Sequence, residues 1–317
     1  MFLRFLPHGL AERQNVTVPL SGKTISLVRT RSGRAYWRPM GSLHVRTPKN
    51  FVLEERLERY GSAIETSPES YIGHWREACA PAGSKPFARL HLDLGCGKGT
   101  YLAERAKIEP DTLFVGADQE PICIAYAAQR VVETSIANAV LVPRKAGSLA
   151  RIFATGELDA ITLNFPTPCP KARHAKQRLV YVDALASFRP LLAADGTVTL
   201  RTDSKPLRDY ALGQFEAAGY RALWISNNVR AEHPEHPMTE YEQRTRDMGA
   251  YVYGICATPD AAPSKTQLEA GRAQEQSLAC YLPQDLESLN YVPLGMEEAV
   301  ENFKNRIRKG KNRFPQV

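Results

Sequence analysis

The chain has 317 residues, 43% of them hydrophobic and 24% charged, with 41 Lys and Arg against 34 Asp and Glu for a formal net charge of +7. That balance excludes a disordered chain, supplies apolar residues for one large or two small domains, and admits a polyanionic partner without requiring one. The six cysteines show no C-x-x-C spacing, and no run approaches the ~20 apolar residues of a membrane span, so disulfide staples, a metal site and a membrane anchor are all unexpected.

Near the start, "MFLRFLPHGL" is apolar only until Arg4 and Pro7 interrupt it, too little for a secretory core, and a cytoplasmic location is expected. Residues 15–30 alternate β-branched and polar side chains around Ser21-Gly22, the pattern of a hairpin. The arginines, Tyr36 and Trp37 that follow read as a solvated linker or an RNA-facing arm. "VLEERLERYG" and "SPESYIGHWREAC" have the periodicity of short amphipathic helices, the second with a cap signal at Ser67-Pro68-Glu69. From about residue 88, seven short apolar runs alternate with helical periodicity: "RLHLDLG", "TLFVGAD", "AVLVP", "LDAITLNF", "GTVTLRTD", "YRALWIS" and "AYVYGICA". Such alternation predicts an α/β fold with a mainly parallel sheet, helices on both faces and a ligand site at the carboxyl ends of the strands. After Thr258 the composition suits a linker, and the chain ends in a basic tail. The expected organisation is an extension over 1–50, the α/β domain over 51–257, and linker plus tail over 258–317.

"LDLGCGKGTYLAERA" reads as strand, glycine turn and helix. Gly95, Gly97 and Gly99 allow positive φ and a close approach of backbone amides to a ligand at a helix N-terminus. A dinucleotide fingerprint would need glycine where Thr100 stands; the spacing here is G-x-G-x-G preceded by the acid Asp93. This resembles class I S-adenosylmethionine-dependent methyltransferases, with their Rossmann-like, doubly wound seven-stranded sheet, in which the acid holds the methionine ammonium; a glycine turn without a ligand is the alternative. Asp118 ends the next strand, where a carboxylate reaches ribose hydroxyls or caps a helix.

In "LNFPTPCPKARHAKQR", Phe165 to Pro170 cannot be helical, because each proline lacks an amide donor and pushes its predecessor into extended conformation. A stiff elbow must therefore end the fourth strand. Lys171, Arg173, His174, Lys176 and Arg178 follow it, a charge run suited to phosphate contact or to a solvated face.

This stretch resembles the signature loop of the bacterial tRNA (guanine-N7-)-methyltransferases. "LRTDSKPLRDY" is similar to the family's Thr-Asp motif, and "MTEYEQRTRDMG" to its Thr-x-aromatic-Glu motif; with "LDLGCGKG" and "GAD" these fall in family order. The resemblance implies methyl transfer from S-adenosylmethionine to guanine N7 in the variable loop of tRNA, by a monomer or homodimer. It implies cofactor contacts at Asp93, Gly95, Gly97, Gly99 and Asp118, RNA contacts at Lys171, Arg173, His174 and Arg178, and guanine recognition by Asp203, Thr239 and Glu242. Asp203 is expected to be catalytic.

Two departures stand out. Thr167-Pro168-Cys169 replaces the family's Asp-Pro-Trp, placing a hydroxyl where a catalytic, cofactor-side acid is usual. Lys145 stands where an aspartate usually lies near the adenine, and an ammonium cannot accept from adenine's exocyclic amine. A weakened or inactive RNA-binding relative, or a methyltransferase for another substrate, are the alternatives these departures raise.

Overall fold

The computed structural model describes residues 49–310 other than 284, 287, 288 and 290, together with three short strands ahead of them. These are β1 (Asn15–Val16), β2 (Ile25–Arg29) and β3 (Ala35–Arg38), paired antiparallel in that order. The turn expected at Ser21-Gly22 and the last residues of the basic tail lie outside the described residues. The helix expected from "VLEERLERYG" is α1 (Leu53–Arg59). Its expected successor is instead two 3-10 turns, Pro68–Tyr71 and Trp75–Glu77, without a side-chain cap from Ser67. Gly73, at φ +80°, breaks the helical run between them, and Trp75 is wholly buried with its indole N–H on the Ile152 carbonyl.

All seven apolar runs form strands of one sheet. In chain order the domain runs β4 (Arg89–Leu94), α2 (Thr100–Ile108), β5 (Thr112–Ala117), α3 (Pro121–Glu133), β6 (Ala139–Val142), β7 (Leu158–Asn164) and α4 (Val182–Phe188). It continues with β8 (Leu192–Thr202), α5 (Lys205–Ala217), β9 (Tyr220–Ser226), α6 (Val229–Glu232), α7 (Glu240–Asp247) and β10 (Tyr253–Pro259). The sheet order is β6-β5-β4-β7-β8-β10-β9, with β4 to β8 parallel and β10 antiparallel to both of its neighbours. One face packs on α1, α2 and α3 through Leu57, Leu102 and Ile124, and the other on α4 and α5 through Leu185 and Leu207. This is the doubly wound α/β architecture expected of class I methyltransferases. The order reverses between β4 and β7, which opens a crevice at their carboxyl ends.

The stretch read as a linker contains α8 (Lys265–Ala273), whose N-terminus is closed by a capping box between Ser264 and Gln267. Beyond it, α9 (Glu297–Arg308) buries Val300 and Phe303, and these join Leu278, Leu282 and Met296 in the core that holds β8 and α5. Burial of this apolar set fastens the C-terminal segment to the domain. Among the described residues no helix is long and apolar enough to cross a membrane.

Candidate active site

The glycine turn sits at the end of β4. Gly95, Gly97 and Gly99 all take positive φ, and a Cβ on Gly99 would fall 2.7 Å from that of Ala127, so only glycine lets α2 begin so close to α3. Asp118 fastens the turn from the neighbouring strand: its Oδ2 accepts from the Gly97 amide at 3.0 Å and its Oδ1 from the Glu120 amide at 2.8 Å. The N-cap of α3 is Glu120, not Asp118. A cleft of about 830 Å³ opens here, lined by Gly95, Asp118, Lys145, Asn164, Phe165 and Thr167 among others.

Behind the cleft wall, Asp93 is 1% exposed. Its Oδ1 accepts from the Asn164 amide nitrogen at 3.2 Å, while its Oδ2 has no hydrogen-bond partner among the described residues. Burial raises the Asp93 carboxyl to about 7, against the lowering effect of the Asn164 hydrogen bond.

The elbow follows Asn164. Phe165 and Cys169 bracket it, each at φ +47°, a region that side chains other than glycine occupy only under constraint. Both precede proline and so depart from the extended backbone expected there; the Phe165 amide donates to the Arg201 carbonyl at 2.7 Å, and at the Cys169 end the constraint is Arg178. Its guanidinium donates to the carbonyls of Pro168, Cys169 and Gln276 and lies 4.4 Å from the Tyr210 ring centroid. Arg178 is 1% exposed, which corrects its expected role as an RNA contact: it supplies the donors that a loop of three prolines cannot. Lys171 pairs with Glu298 of α9 at 2.7 Å. Arg173 and Lys176 are exposed and His174 is half-buried.

The remaining acids gather one strand further on. Asn164 also accepts from Arg201 at 3.3 Å; Arg201 donates to Glu242 at 2.8 Å, and Arg230 donates to the other Glu242 oxygen at 2.6 Å. Glu242 is wholly buried with both oxygens occupied, so it stands as an ion-pair centre and not as an open acceptor for a base. Thr239 caps α7, its hydroxyl accepting from the Glu242 amide at 3.0 Å. Asp203 lies at the end of β8, its Oδ2 accepting from Tyr241 at 3.0 Å and Tyr291 at 2.7 Å. Burial raises the Asp203 carboxyl above the usual range while both tyrosine hydroxyls pull it back. Phe165 links this group to the cleft, its ring centroid 4.9 Å from that of Tyr241.

The profile of a family described as "Putative methyltransferase" matches residues 88–255. A tRNA (guanine-N(7)-)-methyltransferase of Geobacillus kaustophilus (strain HTA426) is 33% identical over 201 residues, 63% of this chain and 90% of that protein. Its counterpart in Streptococcus uberis (strain ATCC BAA-854 / 0140J) is 30% identical over 213 residues, 67% of this chain and 98% of that protein. This chain belongs to the tRNA (guanine-N7-)-methyltransferase family. Among solved structures, an antibiotic-related methyltransferase is 18% identical with a TM-score of 0.44, covering 54% of this chain and 87% of its own.

The residues of this methyltransferase fit S-adenosylmethionine. A buried carboxylate with one unpartnered oxygen suits an ammonium, and the glycine turn leaves the cleft floor free of side chains. Asn164, Arg201 and Tyr291 join the site of this methyltransferase without having been expected there. Arg201 carried a signal, a lone cation inside the apolar run "GTVTLRTD" that must find a buried partner. Tyr291 carried none.

Proposed function

We propose that this protein transfers a methyl group from S-adenosylmethionine to N7 of the guanine in the tRNA variable loop. The observation that carries the reading is the adjacency of two acid sites of different character, Asp93 behind the glycine-floored cleft and Asp203 beyond Phe165. When bound, S-adenosylmethionine supplies an electrophilic methyl group on a sulfonium. Asp93 meets the cofactor ammonium and Asp118 holds the turn while facing the ribose. Guanine N7 keeps a free lone pair, so the protein needs no general base and has to orient the base and tolerate a ring that becomes cationic. Asp203 accepts from the purine N–H edge, and Lys171, Arg173 and His174 meet phosphates once Lys171 leaves Glu298. Thr167, exposed at the cleft rim, offers a hydroxyl to the cofactor side, and Lys145 lines the adenine end.

Nucleoside mass spectrometry of tRNA from cells lacking the gene is expected to show loss of N7-methylguanosine. Unchanged N7-methylguanosine in a protein that still binds S-adenosylmethionine would move the activity to another substrate, a reading that the Thr167-Pro168-Cys169 elbow favours. Failure to bind the cofactor would leave an RNA-binding relative without catalysis.

Cofactor affinity should depend on pH in a defined sense. The Asp93 carboxyl titrates at about 7, so the charge that attracts the ammonium is present above that value and lost as pH falls through it. Calorimetric titration with S-adenosylhomocysteine is expected to show affinity falling about tenfold between about pH 8 and about pH 6. A flat profile would remove Asp93 from the ammonium site.

A further inference from the structure

We propose that Tyr291, supplied by the C-terminal segment, is a positioning residue for methyl transfer: it fixes the Asp203 carboxylate so that Oδ1 meets the base. The inference rests on the reading of Asp203 as the acceptor for the guanine N–H edge. A carboxylate oxygen accepts about two hydrogen bonds in its plane, and Oδ2 is filled by the Tyr241 and Tyr291 hydroxyls. Oδ1 is then the oxygen on offer, and the two tyrosines hold the rotamer that presents it.

Tyr291 lies beyond the residues matched by the family profile, so the site draws on an element outside the shared domain. Several contacts hold that element against the elbow. The Leu278 amide donates to the Pro170 carbonyl at 3.0 Å, and a Cβ on Gly295 would lie 3.5 Å from Pro168. Met296, Val300 and Phe303 are buried just beyond. The tyrosine therefore approaches Asp203 from an anchored segment, and its hydroxyl arrives with its orientation already set. Among the described residues, the titratable groups that act on Asp203 are Tyr241 from α7 and Tyr291 from the C-terminal segment, with the Asp203 backbone amide adding a further hydrogen bond.

Tyr291→Phe keeps the ring and its packing and removes only the hydroxyl. In steady-state assays with tRNA, kcat/KM is expected to fall about tenfold, the effect of one hydrogen bond to a charged group. The acid limb of its pH profile should move to higher pH, because the lost hydroxyl had favoured the ionised carboxylate. Affinity for S-adenosylhomocysteine should stay at the wild-type value, and the Tm should fall by no more than about 5 °C. Placed on Asp203→Asn, the tyrosine substitution should add little, since the two residues act through one contact. Wild-type turnover with an unmoved acid limb in Tyr291→Phe, alongside an inactive Asp203→Ala, would overturn the inference and leave the role of Asp203 standing. Wild-type turnover in Asp203→Ala would overturn the reading on which it rests.

Discussion

Replacing Glu242 with alanine is expected to lower the Tm by on the order of 10 °C, from a loss of about 3–5 kcal/mol at roughly 2–4 °C per kcal/mol. Glu242 is fully buried, and its two oxygens hold two arginines; the Arg201 side chain is itself wholly inaccessible. Removing the acid leaves one guanidinium in the interior with no opposite charge, only the Asn164 amide oxygen to accept from it and the Tyr101 and Phe165 rings beside it, and a second half-released at the edge. An exposed ion pair would be worth ~1 kcal/mol or less, so the size of the expected loss follows from burial and not from the charges alone. Thermal unfolding followed by circular dichroism checks it; a Tm within about 2 °C of wild type would show that the interior relaxes around Arg201. Reduced methylation by this variant would report on folding before it reported on base recognition.

Asp203→Ala is the opposite case, a small structural effect with a large functional one. The carboxylate is buried at a cost visible in its raised pKa, so its removal relieves desolvation while leaving two tyrosine hydroxyls that sit close enough to solvent to find water. Methyl transfer to tRNA is expected to fall at least about a hundredfold, the effect of losing a preorganised electrostatic contact at the reacting base. Affinity for S-adenosylhomocysteine should remain within about twofold, because Asp203 lies at the end of β8, two strands away from the glycine turn at the end of β4. A radiolabelled methyl-transfer assay beside a calorimetric titration measures both. Retained turnover would reassign base recognition to the other groups around Phe165.

The sheet was legible because each strand is an apolar run bounded by turn residues, a local property. The glycine turn was legible for the same reason, its three glycines at positive φ following from spacing over a few positions. Arg178 was misread because a cation in a charge run gives no hint of where its side chain goes; the decisive fact is the set of carbonyls at Pro168, Cys169 and Gln276, one of them 98 residues away. Glu242 was misread likewise, its partner Arg201 lying 41 positions distant. The linker reading after Thr258 followed composition, although Ser264 and Gln267 already had the spacing of a capping box. Tyr291 depends on a tertiary fold-back that no periodicity announces.

The clamp on the elbow also fixes an order of events as the chain leaves the ribosome. All seven strands of the main sheet have emerged by Pro259, but the Arg178 guanidinium and the Pro170 carbonyl wait for Gln276 and Leu278. A chain ending between those points has every strand of the sheet but lacks two partners of the elbow. The elbow is complete only once Gln276 and Leu278 have joined the fold.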